Sequence, residues 1–263
     1  MKKTVENRAQ RLITDKATED YLDSLCPGNR VVLENIRKRA EEDDIPIIRR
    51  TSEELLKTIL TMHTPERILE IGTAVGYSAL VMAETLPQAD IVTLEIGSTD
   101  YMKALDNFAL YAGDTGLRYP AEAGRPPESR NPSLTAVNMP ETDILRIEAL
   151  HIDADDYLAQ AVKDGRKFDF VFLDAAKAQY IIWLPDIMRL LSEGGVLFAD
   201  NVLLDGTIPL SRYALDRRDR TTHQRMRDFL YAITHEPRLV SAVVPSGDGV
   251  SISVYHEHQD RTC

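Results

Sequence analysis

The chain has 263 residues, 43% hydrophobic and 28% charged, with 13 glycines and 13 prolines. This is globular composition, which excludes a wholly disordered or fibrous chain, and the length suits one α/β domain with a helical appendage. Asp and Glu outnumber Lys and Arg by 42 to 31, a formal charge of −11. An acidic total argues against DNA binding or a general RNA coat, because non-specific phosphate binding needs a broad positive field, though one local basic patch can still grip RNA.

Only two cysteines occur, Cys26 and Cys263, which points to a reducing compartment and not to a disulfide framework. No stretch approaches the ~18 consecutive apolar residues of a membrane helix, and polar residues follow Lys2 and Lys3 where a signal peptide would have its apolar core. The expectation is a cytoplasmic protein with no membrane partner.

Residues 1–64 read as a helical N-terminal lid. Val5, Ala9, Leu12 and Ile13 share one helix face, and Val32, Leu33, Ile36 and Ala40 share a second. Pro46 breaks the pattern, and a third helix starts after Thr51 or Ser52, with Glu53 and Glu54 at its positive end. From residue 65 to 263 the rhythm becomes that of an α/β catalytic domain. Short apolar runs at 67–71, 91–94, 144–149, 168–173 and 195–199 alternate with helical stretches at 79–85, 101–111, 155–163 and 181–191. Continuous apolar strands separated by helices imply a mostly parallel sheet covered on both faces. After a helix near 221–234, strands at 239–244 and 250–255 flank Gly247-Asp248-Gly249, the mark of an antiparallel hairpin. Residues 113–143 hold five prolines (Pro120, Pro126, Pro127, Pro132 and Pro140) and no period, so they read as a surface insertion. The insertion precedes a strand, which places it at the end of the sheet opposite the strand carboxyl ends where ligands bind.

The first strand runs into Glu70-Ile71-Gly72-Thr73-Ala74-Val75-Gly76-Tyr77-Ser78 and then a helix. Glycines there let backbone amides approach a ligand, and a helix start offers free N–H groups. The G-x-G-x-x-G fingerprint is absent, since Ala74 and Tyr77 occupy its second and third glycine positions, and no Gly-Lys-Ser/Thr phosphate loop occurs. Glu95, closing the next strand, can accept both ribose hydroxyls of a nucleoside cofactor. Asp153-Ala154 follows the third strand, where a carboxylate can meet an exocyclic amino group or simply cap the next helix.

Asp174 ends the fourth strand, and Asp200-Asn201 ends the fifth, so three oxygen ligands reach one rim of the sheet. Two carboxylates and an amide suit Mg²⁺ or Ca²⁺ better than Zn²⁺. Lys177 lies three residues beyond Asp174, within reach of the same ligand. Helix capping is again the structural alternative for each acid taken singly.

Glu70-Ile-Gly-Thr-Ala-Val-Gly-Tyr-Ser78, Leu173-Asp-Ala-Ala-Lys177 and Ala199-Asp-Asn-Val202 together resemble the cation-dependent, S-adenosylmethionine-using O-methyltransferases of the catechol and caffeoyl-CoA type, over roughly residues 15–112 and 144–256. Within that family the chain looks closest to the bacterial tRNA 5-hydroxyuridine methyltransferases. Ile45-Pro46-Ile47-Ile48, Ala175-Ala-Lys-Ala-Gln-Tyr180, Arg217-Arg218-Asp219-Arg220 and Val244-Pro-Ser-Gly-Asp-Gly-Val250 carry that likeness. The resemblance implies a Rossmann-like class I methyltransferase fold with a seven-stranded sheet, and a homodimer. It implies S-adenosylmethionine held by Glu70, Gly72, Gly76, Tyr77 and Ser78, with Ile48 from the lid, Glu95 at the ribose, Asp153 and Ala154 at the adenine, and Asp174 beside the cofactor. It implies Mg²⁺ on Asp174, Asp200 and Asn201, with Lys177 as the base. The departures are the proline-rich insertion and Ile152, where the family usually has glycine.

Methyl transfer to a hydroxyl needs an oxygen nucleophile in line with the methyl carbon, and a divalent cation on that hydroxyl and a neighbouring oxygen lowers its pKa. Catechols and 5-hydroxyuridine both present two adjacent oxygens. Six arginines between 212 and 227 (Arg212, Arg217, Arg218, Arg220, Arg225 and Arg227) stand against Asp216 and Asp219 and follow the Asp200-Asn201 rim. Such a patch can receive a phosphate backbone through Arg217, Arg218 and Arg220, which favours tRNA as substrate and 5-methoxyuridine as product. A solvated helix face with Arg–Asp pairs is the plainer reading, and a small-molecule O-methyltransferase is the alternative function.

Overall fold

The computed structural model describes residues 16–119 and 144–257. Seven strands make one sheet in the order β3-β2-β1-β4-β5-β7-β6: β1 (Arg67–Ile71), β2 (Asp90–Glu95), β3 (Ile147–His151), β4 (Phe168–Leu173), β5 (Leu191–Ala199), β6 (Leu239–Val244) and β7 (Val250–Tyr255). The first five are parallel, and β7 runs antiparallel between β5 and β6. The expected α/β architecture and the C-terminal hairpin are both present. Chain order reverses between β1 and β4, and at such a switch point the loops after neighbouring strands diverge and leave a crevice.

Eight α-helices accompany the sheet among the described residues: α1 (Lys16–Leu25), α2 (Val31–Glu42), α3 (Arg50–His63), α4 (Tyr77–Thr85), α5 (Ser98–Thr115), α6 (Ala154–Lys163), α7 (Tyr180–Leu190) and α8 (Arg220–His235). Alternation along each strand sorts the side chains into two cores. Ile68, Phe170 and Phe198 face one side, where α2–α5 pack, and Leu69, Val171 and Leu197 face α6–α8. Val32, Leu33, Ile36 and Ala40 of α2 are all buried, as their spacing requires, and with Leu56 and Leu60 of α3 they join the same core as β1 and α4.

Three differences from the sequence reading have local causes. The third strand begins at Ile147, not 144, because Ile144 bridges to Arg118 and Leu145 is buried in the core before the chain enters the sheet. The fifth strand begins at Leu191, directly after α7, and an irregularity in its pairing beside Phe168 absorbs the early start. Helix α5 runs on to Thr115 and ends at Gly116 with φ +74, so the insertion opens later than residue 113. Its described ends, Arg118 and Ile144, pair at the amino-terminal side of β3, away from the strand carboxyl ends. The body of the insertion (120–143) and the first expected helix face (Val5, Ala9, Leu12, Ile13) lie outside the described residues.

Candidate active site

Backbone hydrogen bonds draw the carboxyl ends of the parallel strands into one rim. Gly72 and Thr73 N–H donate to the Leu94 carbonyl, both at 3.1 Å, while Asp174 N–H reaches Ile71 and Asp200 N–H reaches Leu173, both at 3.0 Å. Gly72 has φ +105, and a Cβ there would lie 2.0 Å from the Asp174 carbonyl oxygen. Gly76 has φ +80, and its Cβ would meet the Phe108 ring at 2.5 Å. Both glycines are therefore required by the protein's own packing, quite apart from any ligand the loop meets.

Glu95 organises the neighbouring turns. Its Oε2 accepts Ala74 N–H at 2.8 Å and its Oε1 accepts Gly97 N–H at 2.7 Å. Each oxygen keeps a second lone pair, so ribose hydroxyls remain within its capacity. Glu70 is wholly buried, and Ser78 Oγ at 2.5 Å and Thr93 Oγ1 donate to its two oxygens. Burial pushes its carboxyl up to about 8 against the lowering effect of those two hydroxyls, and the charges of Asp174 and Glu95 add to the rise.

The Tyr77 side chain is placed elsewhere than the cofactor loop. Its buried hydroxyl donates to Glu53 Oε2 at 2.9 Å and accepts from Asn29 Nδ2 at 2.8 Å and Arg37 Nε at 3.0 Å, so the ring is anchored against α2 and α3. What Tyr77 offers the loop is its backbone. Ile48 is likewise buried, and its carbonyl accepts from Arg37 Nη2 at 3.0 Å. Asp153 caps α6, accepting Asp155 N–H at 2.9 Å, and Ala154 is buried behind it. The capping role weighed for Asp153 is thus real, with one carboxylate oxygen to spare.

At the ends of β4 and β5 the polar groups are more constrained. Lys177 Nζ lies 2.5 Å from Asp174 Oδ1 and 3.0 Å from the Tyr180 hydroxyl, which in turn donates to the Leu173 carbonyl at 3.0 Å. Burial opposes the charge on Lys177, but Tyr180 and Asp174 outweigh it, and the ammonium pKa moves upward. Lys177 is therefore a fixed cation here, and acts as a base only where the charge of Asp174 is engaged elsewhere. Tyr180, three residues on, belongs to the Ala175–Tyr180 segment of the family likeness, but the sequence assigns its hydroxyl no chemical role. Its spacing from Lys177 across the turn at Lys177–Gln179 was the available signal.

Asp200 is 1% exposed. Its Oδ1 accepts Asn201 N–H at 2.8 Å, and its Oδ2 is buried without a hydrogen-bond partner. Burial, with Asp174 as the next contributor, pushes its carboxyl up to about 7. An unpartnered buried carboxylate oxygen beside a second carboxylate fits a cation, because a positive charge would satisfy it and offset the desolvation. Asn201 sits in the left-handed region at φ 56. Among the described residues no group of three or more His, Cys, Asp or Glu could hold a metal ion.

The arginine patch divides. Arg220 donates to Leu215 O at 3.2 Å and Arg227 to Ile208 O at 3.4 Å in the loop after β5, while Arg225 donates to Ala178 O at 3.3 Å in the turn after β4. Arg212 and Arg220 lie over the exposed Tyr213 ring at 5.5 and 5.8 Å. Arg217 and Arg218 are exposed, and Arg218 pairs with Asp219 at 3.6 Å. Trp183 is a core residue whose indole N–H donates to Asp155.

In sequence and in fold the chain is similar to known methyltransferases. Caffeoyl-CoA O-methyltransferase 1 of Eucalyptus globulus is 25% identical over 208 residues, covering 76% of this chain and 70% of its own. Tapetum-specific methyltransferase 1 of Arabidopsis thaliana is 24% identical over 198 residues, covering 75% and 72%. An O-methyltransferase from Bacillus cereus, solved in complex with SAH, superposes with a TM-score of 0.68 at 23% identity, over 91% of this chain and 97% of that one. Among the described residues no helix is long and apolar enough to cross a membrane. The sequence profile of the O-methyltransferase family matches residues 24–113 and 142–255, on either side of the insertion, and the chain belongs to that family.

Proposed function

We propose that the chain is an S-adenosylmethionine-dependent O-methyltransferase acting on a small molecule with two adjacent oxygens, a catechol-like or caffeoyl-CoA-like acceptor. The observation that carries the metal-assisted methyl transfer is the buried, unpartnered Asp200 Oδ2 beside the Asp174–Lys177 pair at the strand carboxyl ends. The caffeoyl-CoA O-methyltransferases among the relatives support the acceptor class. S-adenosylmethionine supplies an electrophilic methyl group on sulfur, open to in-line attack by an oxygen. Glu95 holds the ribose while fixing the Ala74 and Gly97 amides, and Gly72 and Ser78 border the methionine end. Asp174, Asp200 and the Asn201 amide would hold Mg²⁺, which lowers the pKa of an acceptor hydroxyl and fixes its direction. With the charge of Asp174 engaged by that cation, Lys177 Nζ would give up its extra proton and take the one leaving the acceptor hydroxyl, held in place by the Tyr180 hydroxyl at 3.0 Å. Lys177→Met should leave folding intact and lower turnover by about 10²–10⁴-fold, the usual worth of a positioned proton carrier.

A second reading, 5-hydroxyuridine in tRNA, is favoured by the exposed Arg217 and Arg218. It is weakened by Arg220, Arg225 and Arg227, whose guanidinium groups bond the protein's own carbonyls. The test is transfer from methyl-labelled S-adenosylmethionine, with and without Mg²⁺, to a catechol, to a caffeoyl thioester and to tRNA carrying 5-hydroxyuridine. Metal-dependent labelling of a small acceptor alone supports the proposal. Labelling of tRNA alone moves the substrate to RNA, and labelling of none refutes both.

A further inference from the structure

The loop that follows β5 is held in an unfavourable shape by the turn between β6 and β7, through two backbone carbonyls and one side chain outside the rim. Asn201, Leu204 and Asp205 have φ of 56°, 49° and 49°, the left-handed region that non-glycine residues avoid. Three such residues within five positions persist only where the surroundings over-determine the backbone. Here the surroundings are the turn between β6 and β7. Val202 N–H donates to Gly249 O at 2.9 Å, Leu203 N–H to Asp248 O at 3.0 Å, and Asp205 N–H to the Asp248 carboxylate. Gly249 leaves the space that the Leu203 side chain fills, since a Cβ there would lie 2.3 Å from Leu203 Cγ. The N-terminal extension presses on the same assembly. Ser52 Oγ donates to Ser246 O at 3.3 Å, and Arg49 Nη2 reaches Asp205 Oδ1 at 3.4 Å.

Asp248 thus holds the loop twice, by its carbonyl at Leu203 and by its side chain at Asp205, while Asp200 N–H is tied to β4 on the other side of Asn201. Only 7% of Asp248 is exposed, so its side chain has little freedom to release the Asp205 amide. We propose that Asp248 is a positioning residue for the reaction, fixing the left-handed backbone from Asn201 to Asp205 so that the Asn201 amide faces the rim. The inference rests on the function proposed above in giving Asn201 a part in the chemistry. The anchoring itself is independent of that reading.

The role depends on an acceptor oxygen at Asp248 and not on its charge, which separates Asp248→Asn from Asp248→Ala. In the full-length protein, Asp248→Ala should speed hydrogen exchange at the Asp205 amide at least tenfold, with smaller gains at Val202 and Leu203, whose backbone acceptors remain, and leave α4 and β1 unchanged. It should also raise the Mg²⁺ concentration for half-maximal activity at least tenfold, while affinity for S-adenosylhomocysteine stays within threefold. Asp248→Asn should restore both quantities to within threefold of the wild type. If Asp248→Ala fails to fold, Asp248→Ser replaces it, a polar turn residue whose side chain falls short of the Asp205 amide.

Unchanged loop exchange in the alanine or serine variant overturns the proposal whatever the enzyme methylates. An asparagine variant as impaired as the alanine one overturns it in favour of a charge effect, and a matching loss of S-adenosylhomocysteine affinity overturns it in favour of general destabilisation. A wild-type protein with no Mg²⁺-dependent turnover sinks the functional reading alone, and the exchange comparison still decides the anchoring.

Discussion

Replacing Glu70 by Gln should change how stability depends on pH, and the structure fixes the sign. Glu70 is 0% exposed on β1, on the sheet face that packs under α4, and its two oxygens meet the hydroxyls of Ser78 and Thr93. Burial lifts its carboxyl from 4.5 to about 8. The folded state then binds the Glu70 proton more tightly than the unfolded chain, so this contribution to stability is fully present below pH 4.5 and is lost as pH rises through about 8. At about 1.4 kcal/mol per pKa unit the whole span is worth roughly 5 kcal/mol, of which roughly 3 is already gone at pH 7. Gln keeps the shape, accepts from one hydroxyl at Oε1 and donates from Nε2 to the other, carries no titrating proton, and removes the term. The assay is urea unfolding of wild type and variant from pH 5 to pH 9. Comparing the two at each pH cancels groups common to both, among them Asp200 and Asp248. The variant should gain on the wild type by about 1 kcal/mol per pH unit up to pH 8 and then level off. A flat difference refutes the claim that Glu70 is folded as the neutral acid. A difference falling with pH means that the two hydroxyls stabilise the anion more than burial penalises it.

Glu34 gives the opposite sign on the surface of the N-terminal extension. Arg50 holds its carboxyl down at about 2, so the pair's contribution is present above pH 4.5 and disappears as pH falls towards 2. With both side chains about one-third exposed, Glu34→Gln should cost only about 0.5–1 kcal/mol at pH 7 and nothing at pH 2, read by the same unfolding assay. Arg37→Met breaks the buried contact with Glu53 and the bond to Tyr77. Leaving Glu53 with Lys57 as its one remaining cationic partner should cost about 3 kcal/mol in urea unfolding, and a loss under 1 kcal/mol contradicts the network. Gly72→Ala places a Cβ 2.0 Å from the Asp174 carbonyl at φ +105, a contact that no rotamer relieves. It should cost at least about 2 kcal/mol and weaken S-adenosylhomocysteine binding by calorimetry, because the Cβ must push the Gly72 loop off the end of β4.

Elements that bury a continuous apolar run were legible in the sequence, and those whose limits depend on distant partners were not. The runs at 67–71, 168–173, 239–244 and 250–255 are strands with those same limits, because each is bounded by a turn or a charged residue. Ile144 and Leu145 are equally apolar, yet they precede β3, and only the Arg118 bridge shows why. The contacts of Tyr77 with Arg37 and Glu53 span 40 and 24 residues and follow no period, so the motif Gly-Tyr-Ser pointed its tyrosine at a ligand when its ring belongs to the interior. As the middle of Gly-Asp-Gly, Asp248 satisfied the turn, and its hold on Asp205, 43 residues away, left no mark in the spacing.

The site shows the same division between the kind of group and its state. Asp174, Lys177, Asp200 and Asn201 were visible as residue types at strand ends, since a parallel sheet brings every strand's carboxyl end to one rim. Their protonation was not visible, because it depends on what lies within a few ångströms. Lys177 reads as a base from its position, and Asp174 at 2.5 Å and Tyr180 at 3.0 Å hold its proton more firmly than that position alone suggests. Asp200 reads as an anion from its type, but burial moves its carboxyl to about 7. The two assignments are coupled through Asp174, which sustains the proton on Lys177 and raises the cost of ionising Asp200. Engaging the charge of Asp174 elsewhere therefore acts on both neighbours at once, loosening the lysine's proton and making the second carboxylate easier to ionise. A base and an oxygen ligand drawn from this rim are one electrostatic unit, and a substitution at Asp174 should alter the behaviour of both Lys177 and Asp200.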